Sequence, residues 1–537
     1  MRYIYCCYIL LFLVFLFLFS QAFRLQIIQG KAQSQRAEQN RFRIEVLEAQ
    51  RGIFYDLKGE PLVAQNDNRN YLYPQEFAHV LGYIGEADMQ ELTLFGVESG
   101  RKVGKFGLER SRQQNLKGTD GGQVQELAAS GEKLRDISQR NPIKGRSVQL
   151  TIDKDLQNLS FKLLKDSGFK GAIIAGTTDG ELLVLASFPS YDPNIFEQAG
   201  RSGEIENLFI DKNQPMFNRA IAGLYPPAST FKIITSMAAL QEKLIDKDFQ
   251  VEDTGQIRVG EFSYGNWFYS QYGGRDKEVN LIKALQRSND IFFYKVGELV
   301  GIDKLSAWAK TFGLGELSNI EIQGESQGLV PTPIWKEENM GESWYLGDTY
   351  ITAIGQGNLQ VTPLQVQMMT TAIANNGYLC KPELVVAMVD EKPKAFILTG
   401  FEKNNCRQLP VEQQNIALVK EGMEKACESG GTGWPLFEFK IKNEKLPIDN
   451  INIFQAASSS AEFRSIPVAC KTGTAETGRS IIKNGKEIHL THAWFTVFAP
   501  RKDPEIIITV LLEDAGQGSD KAAPLAREVL KKYFESK

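Results

Sequence analysis

Ser229 and Lys232 stand three residues apart in Pro226-Pro227-Ala228-Ser229-Thr230-Phe231-Lys232, just ahead of the run Ile233-Ile234-Thr235-Ser236-Met237-Ala238-Ala239-Leu240. The two prolines favour an extended approach, and the run after them predicts a helix. Positions i and i+3 share one face of a first turn, which sets a hydroxyl beside an amine. A serine hydroxyl is a weak nucleophile until a base takes its proton. Lysine becomes such a base when burial and nearby cations lower its pKa. A helix start adds unsatisfied N–H groups that can receive a developing oxyanion. Alone the pattern is weak, because Ser-x-x-Lys arises by chance about once in a chain of this length. A capping serine followed by a surface lysine is the competing reading.

Two further stretches weigh against it. Ser288-Asn289-Asp290 lies between Leu281–Gln286 and the apolar Ile291-Phe292-Phe293-Tyr294; taken alone it reads as a helix cap. Cys470-Lys471-Thr472-Gly473-Thr474-Ala475-Glu476 follows the β-patterned Ile466-Pro467-Val468-Ala469. There a lysine can hold an anion, threonine hydroxyls can hydrogen-bond a carboxylate, and a glycine lets a substrate backbone approach closely.

The elements that must position these residues are legible in outline. Val148 to Ile152 predicts a short strand, and Asp153 can cap a helix through Asp155 to Lys165. Gly171–Thr177 and Glu181–Ser187 predict two strands joined at Thr178-Asp179-Gly180. Thr491–Ala499 and Glu505–Glu513 are strongly β-patterned, and Asp520–Phe534 is an amphipathic helix. Strands at both ends of a long helical middle predict an α+β domain over 147–537 with one antiparallel sheet. Residues 24–146 read as a small, extended, β-containing module, with a hairpin turning at Lys58-Gly59 and a second turn at Gly118-Thr119-Asp120-Gly121-Gly122.

Residues 1–23 set the compartment. Tyr3 to Phe23 is a 21-residue stretch without charge, and at ~1.5 Å per residue it spans about 31 Å, the depth of a bilayer core. It exceeds the ~7–15 apolar residues of most signal peptides, so a retained anchor is the preferred reading, with cleavage near Ser20-Gln21-Ala22 as the alternative. Arg2 before the stretch and Arg24, Lys31 and Arg36 after it leave the orientation open.

The composition excludes several classes. With 42% apolar and 23% charged residues, the chain is an ordinary globular sequence rather than a disordered or polytopic one. Its 61 basic and 65 acidic residues give a net charge of −4, with no basic excess for nucleic acid. His79, His489 and His492 are the three histidines. His489 and His492 lack a third ligand, so strand-edge packing is expected and no metal. Cys380, Cys406, Cys427 and Cys470 match no zinc spacing; their even number permits disulfides, although cysteines so scattered are more often unpaired core residues than a framework, and no redox conclusion follows.

The order Ser-x-x-Lys, Ser-x-Asp, Lys-Thr-Gly is that of the serine acyltransferases that recognise penicillin. The sequence resembles class B penicillin-binding proteins, the monofunctional peptidoglycan D,D-transpeptidases, over nearly its whole length, and most resembles the elongation group, penicillin-binding protein two. Supporting segments include Val103-Gly104-Lys105-Phe106-Gly107-Leu108-Glu109, Pro189-Ser190-Tyr191-Asp192-Pro193-Asn194, Trp344-Tyr345-Leu346-Gly347-Asp348-Thr349 and Gly355-Gln356-Gly357.

The resemblance implies a transmembrane signal-anchor (1–23), a pedestal (24–146) and a penicillin-binding/β-lactamase-like transpeptidase domain (147–537). Catalytic residues would be Ser229, Lys232, Ser288, Asp290 and Lys471. Ser229 would be acylated by the penultimate D-Ala of a stem pentapeptide, with Lys232 as base, Ser288 relaying the proton and Lys471 in the same network. Thr472, Gly473 and Thr474 would bind substrate, the two threonines at its terminal carboxylate. The backbone N–H groups of Ser229 and Thr474 would form the oxyanion hole.

The resemblance further implies β-lactam inhibition, no cofactor, an extracytoplasmic catalytic domain on the cytoplasmic membrane, and a membrane-embedded glycan-strand polymerase with elongation-complex proteins as partners. Residues 24–146 carry no acidic glycosyltransferase motif. Relatives usually have Gly where Ala228 stands, a minor change at a helix start. They also carry a head of several dozen residues where only Asp67 to Ala78 separate Asn66 from His79, which leaves partner binding by that route open. A D,D-carboxypeptidase, a β-lactamase and a non-catalytic β-lactam sensor are the competing functions.

Overall fold

The computed structural model describes residues 1–32, 41–65, 68–128, 130–198, 200–396, 405–442, 463–483 and 485–537. The chain divides into two compact units, Met1–Gly52 with Gln114–Arg146, and Ile53–Gln113 with Ser147–Lys537. In the first, helix α1 (Arg2–Phe23) runs into a wider turn at Arg24–Ile28, and the two together are long and apolar enough to cross a membrane. Strands β1 (Phe42–Leu47), β2 (Gly121–Leu127) and β3 (Lys133–Arg140) form an antiparallel sheet with β2 in the middle.

The second unit takes in Ile53–Gln113, so compactness cuts across the expected 24–146 module. Around Lys58-Gly59 the expected turn is tight, since Asp56 Oδ1 accepts from the Lys58 and Glu60 amides at 2.9 and 2.7 Å. In the shortened stretch before His79, Val63–Gln65 pairs antiparallel with Arg69–Tyr71, and α2 (Pro74–Leu81) follows. His79 on α2 is buried, with Nε2 3.4 Å from Pro189 O. Burial lowers its pKa from 6.5 to about 4. The unfolded chain therefore takes up this proton below pH 6.5 while the folded chain refuses it until about pH 4. Stability is lost across that window, by about 3 kcal/mol at its full extent. The drop in melting temperature between pH 7 and pH 4.5 is accordingly expected to be smaller in His79→Phe than in the parent.

Beyond β4 (Ser147–Leu150), helix α3 (Lys154–Ser167) is capped as expected by Asp153, whose carboxylate accepts from the Asp155 and Leu156 amides at 2.9 and 3.1 Å. Strands β5 (Gly171–Gly176) and β6 (Leu182–Phe188) make the expected hairpin. The helical middle contains α4 (Lys232–Gln241), α5 (Leu281–Arg287), α6 (Asp290–Val300), α7 (Pro363–Ala374) and α8 (Gln413–Ala426). Strands β7 (Ala469–Lys483), β8 (Lys486–Ala499) and β9 (Ile506–Leu512) and helix α9 (Gly518–Glu535) complete the unit.

The central sheet has the order β6-β5-β9-β8-β7, antiparallel throughout, as the sequence predicts. Strand alternation buries both faces. Trp494, Phe498, Ile507 and Leu511 join a core with Ile233, Phe292 and Val419 of the helical middle. Phe495, Val497, Ile508 and Val510 join a second core with Leu156 and Leu164 of α3 and Val529 and Leu530 of α9. Among the described residues, strand β7 is left at the edge with β8 as its one neighbour in the sheet.

Two expectations are corrected here. Interior strand β8 carries His492, which is buried, accepts from the Asp514 amide at 3.1 Å and packs against Tyr225; it is a core neighbour, not a strand-edge residue. The four cysteines are paired, as Cys380–Cys406 and Cys427–Cys470. Partners separated by 26 and 43 residues meet only through tertiary packing, which spacing along the chain does not reveal.

Candidate active site

Pro226 and Pro227 lead into a single 3₁₀ turn, Ala228–Thr230, and α4 begins at Lys232. Ser229 thus precedes the helix and Lys232 is its first residue. The turn is clamped on two sides: the Ala228 amide donates to Gly355 O at 2.7 Å, and Thr230 Oγ1 donates to Pro227 O at 2.7 Å. Ala228 has φ 49°, a left-handed conformation that costs a non-glycine residue about 1 kcal/mol or more. Alanine in place of glycine is therefore not the minor change its size suggests. A Cβ on Gly355, whose φ is +78°, would lie 2.1 Å from Ala228 O, so this contact requires glycine.

Lys232 is fully buried. Its Nζ donates to Asp290 Oδ1 at 2.6 Å, to Ser288 O at 2.8 Å and to Ser288 Oγ at 3.3 Å. Ser288 ends α5 with φ 52°. Asn289 caps α6, its side chain accepting from the Phe292 amide at 3.0 Å. The cap reading thus applies to Asn289, and the Ser288 hydroxyl is left between two lysines. The second is Lys471 on β7, also fully buried, whose Nζ donates to Ser288 Oγ at 2.8 Å and to Thr472 O at 3.0 Å.

Electrostatics couple the two lysines. Burial pushes both lysines below their ordinary pKa, and the charge of Lys232 lowers Lys471 further. Asp290 opposes the shift in both, and most directly in Lys232, to which it is hydrogen-bonded. Two cations meeting at one hydroxyl favour a state in which one amine is neutral, and the pair titrates together.

Thr472, Gly473 and Thr474 line one cleft with Ser229, Ser288 and Asp290, beside Trp267, Phe268, Tyr272 and Trp434. Thr472 Oγ1 donates to Thr432 Oγ1 at 2.8 Å. A Cβ on Gly473 would meet Trp494 Cβ at 3.0 Å, Pro227 O at 3.2 Å and Thr230 Cγ2 at 3.3 Å. The bare backbone therefore serves the approach of β7 to the Ser229 turn, beside the approach of substrate that the sequence leads one to expect. Gly473→Ala should push β7 off that turn by a few tenths of an ångström and slow acylation by about tenfold, read as the rate of covalent labelling by benzylpenicillin.

Sequence reasoning missed several supporting residues. Gln356 brackets the free edge of β7, its Nε2 donating to Thr474 O at 2.9 Å and its Oε1 accepting from the Glu476 amide at 3.2 Å. The Trp267 amide donates to Asp290 Oδ2 at 3.0 Å. Asn289 Nδ2 donates to Asp253 Oδ2 at 2.8 Å and to Asp276 Oδ2 at 3.2 Å, and Arg287 pairs with Asp276 at 3.0 Å. Gly355-Gln356-Gly357 was visible as a segment without a role. The aspartates and Trp267 carried no sequence signal, because their partners are distant in the chain.

The structure thus joins Lys232, Ser288, Asp290 and Lys471 in one hydrogen-bonded group, and sets Ser229, Thr472, Gly473 and Thr474 on the same cleft. The family model for the penicillin binding protein transpeptidase domain matches residues 171–531, and that for the penicillin-binding protein dimerisation domain matches residues 63–150. The chain belongs to the penicillin-binding protein transpeptidase family. Peptidoglycan D,D-transpeptidase MrdA of Haemophilus influenzae is 34% identical over 485 residues, covering 87% of this chain and 70% of the relative.

Two solved structures extend the likeness to this family member's fold. Pseudomonas aeruginosa PBP2 in complex with WCK 5153 is 29% identical, with a TM-score of 0.72 over 91% of this chain and 96% of that one. PBP2 of Helicobacter pylori, in its complex with MreC, is 25% identical, with a TM-score of 0.75 over 92% and 99%. These relatives bear out the expected membership of the penicillin-binding protein two group.

Proposed function

We propose that this chain is a membrane-anchored peptidoglycan D,D-transpeptidase that crosslinks stem peptides during cell-wall elongation. The observation that carries the reading is the buried Lys232–Ser288–Lys471 group beside Asp290, opening through Ser288 onto the cleft that Ser229 lines. In this reading Ser229 Oγ attacks the carbonyl of the penultimate D-Ala and its proton passes to Lys232. The oxyanion forms at the amides of Ser229 and Thr474. As the C–N bond breaks, Ser288 passes a proton to the departing D-Ala amine and recovers one from Lys232, which took the serine proton, with Lys471 in the same network. Thr472 and Thr474 hold the terminal carboxylate. An amine from a neighbouring stem peptide then attacks the ester, forming the crosslink and returning a proton to Ser229.

Residues 1–23 serve as the anchor, 24–146 as a pedestal, and 147–537 as the transpeptidase domain on the extracytoplasmic side. The apolar α1 and the dimerisation-domain match support this order. A glycan-strand polymerase and elongation-complex proteins are the proposed partners, with the MreC-bound relative as support for partner binding in general. The test is turnover of a stem-peptide thioester by the full-length protein in detergent, with a D-amino acid as acceptor. Crosslinked product in proportion to acceptor is expected. Hydrolysis alone would indicate a carboxypeptidase, and acylation without turnover a sensor.

A further inference from the structure

Strand β7 carries Lys471, Thr472, Gly473 and Thr474 yet, among the described residues, lies at the edge of its sheet, with hydrogen-bonded support in the ladder from β8 alone. An edge strand slides and bends more readily than a central one, so a catalytic amine on it needs a second support. Side chains alternate along the strand. Lys471 points to the face where Ser288 lies, and Cys470 points to the other, into the core shared with Cys427. Cys470 is fully buried, and its disulfide partner Cys427 closes the C-terminal end of α8.

Helix α8 also touches the other wall of the site. Its Gly422 meets α5 so closely that a Cβ there would lie 2.5 Å from Leu285 Cδ1, and α5 ends at Arg287, one residue before Ser288. The loop leaving Cys427 ties the two walls together. Gln286 Nε2 donates to Ser429 O at 3.3 Å, Arg287 Nη1 donates to Gly430 O at 2.8 Å, and the Thr432 amide donates to Gln286 O at 3.2 Å. Thr432 Oγ1 accepts from Thr472 Oγ1 on β7. The Gly433 amide donates to Ala426 O at 2.7 Å, and a Cβ on Gly433 would lie 2.4 Å from Cys470 Sγ, so the loop folds directly over the disulfide. Helix α8 and its loop therefore span from the Ser288 wall to the Lys471 wall, and one covalent bond fixes the second end.

We propose that the Cys427–Cys470 bridge is a positioning device for acyl transfer, holding β7 at the depth where Lys471 Nζ meets the Ser288 hydroxyl and Thr472 meets Thr432. This rests on the serine acyl-transfer reading above. Without the bridge, β7 is free to move outward from α8. Lys471 then moves off Ser288 and becomes better hydrated, and the acylation step slows.

The second disulfide supplies the control. Cys380–Cys406 joins two short strands, Tyr378–Cys380 and Cys406–Gln408, that contribute no residue to the cleft. The experiment compares full-length protein in detergent as wild type, as Cys427→Ala/Cys470→Val, which keeps an apolar filling, and as Cys380→Ser/Cys406→Ser. Cys427→Ser/Cys470→Ser is the second variant should the first fail to fold. The rate of acylation by benzylpenicillin is measured across pH, below the lowest melting temperature.

The bridge variant is expected to acylate about tenfold more slowly, with the rise of rate against pH displaced upward because Lys232 and Lys471 lie farther apart, repel less, and as a coupled pair hold their protons longer. The control is expected to stay within about twofold of wild type. Equal rates in wild type and the bridge variant would overturn the proposal. So would equal slowing in both disulfide variants with an undisplaced pH profile, which is general loss of stability. Failure of the wild type itself to acylate would instead overturn the functional reading.

Discussion

Lys232→Met is expected to lower the rate of acylation by benzylpenicillin about a thousandfold or more, because general-base catalysis contributes ~10²–10⁴ and residues acting as one unit fail together. The methionine fills the buried space of the lysine stem without an ionisable group. It leaves Asp290 without the ammonium 2.6 Å away, so the melting temperature also falls, and rates are compared where both proteins are folded. Lys471 loses a neighbouring cation that now lowers its pKa, although burial still depresses it; its pKa therefore rises, which makes it a poorer substitute for the neutral base. Lys232→Arg separates the roles of charge and base. A guanidinium retains the charge beside Asp290 but does not give up its proton in a protein. Arginine is therefore expected to restore part of the stability and none of the acylation rate. Recovery of the rate in Lys232→Arg would show that Lys232 acts through its charge alone.

Asp290→Asn is expected to move the rise of acylation rate with pH to lower pH by about one unit or more, since a neighbouring opposite charge shifts a pKa by ~1–3 units. The sign follows from the contact. Asp290 raises the proton affinity of Lys232 against the effect of burial, so its removal lets Lys232 shed its proton at lower pH. A less basic amine takes the serine proton less readily, and the plateau rate is expected to fall by about ten- to a hundredfold. Asparagine retains an oxygen for the Trp267 amide, which donates to Asp290 Oδ2 in the parent, so the junction between α5 and α6 keeps its shape. The check is the full pH profile of acylation in both proteins. A lower plateau with an unmoved midpoint would make Asp290 a structural residue only.

The elements written in local patterns were legible before the structure. The Asp153 cap, the β5–β6 hairpin and strands β8 and β9 follow from capping, turn residues and alternation, each set by neighbours in sequence. The eight candidate residues stand in three short motifs in a fixed order, and the structure gathers them at one cleft and the hydrogen-bonded group beside it.

What was not legible depends on residues brought together across the chain. The left-handed turn at Ala228 packs against Gly355, 127 positions away, whose missing Cβ leaves room for the Ala228 carbonyl. Gln356 has a role only because β7 is an edge strand, and edge position follows from the topology of the whole sheet. Scatter pointed away from disulfides, although Cys427 and Cys470 meet beside the site. Gly473 is the reverse case: the residue was found, but its contacts with Trp494, Pro227 and Thr230 give it a packing role that the motif does not disclose.

The central claim, that Ser229 becomes the acyl carrier, is tested most directly by the intact mass of the full-length protein after incubation with benzylpenicillin, beside Ser229→Ala. A single stable adduct with the mass of the whole drug, on the parent and absent from Ser229→Ala, is the predicted result. An adduct of the same mass on both proteins, or none on a folded parent, would contradict it.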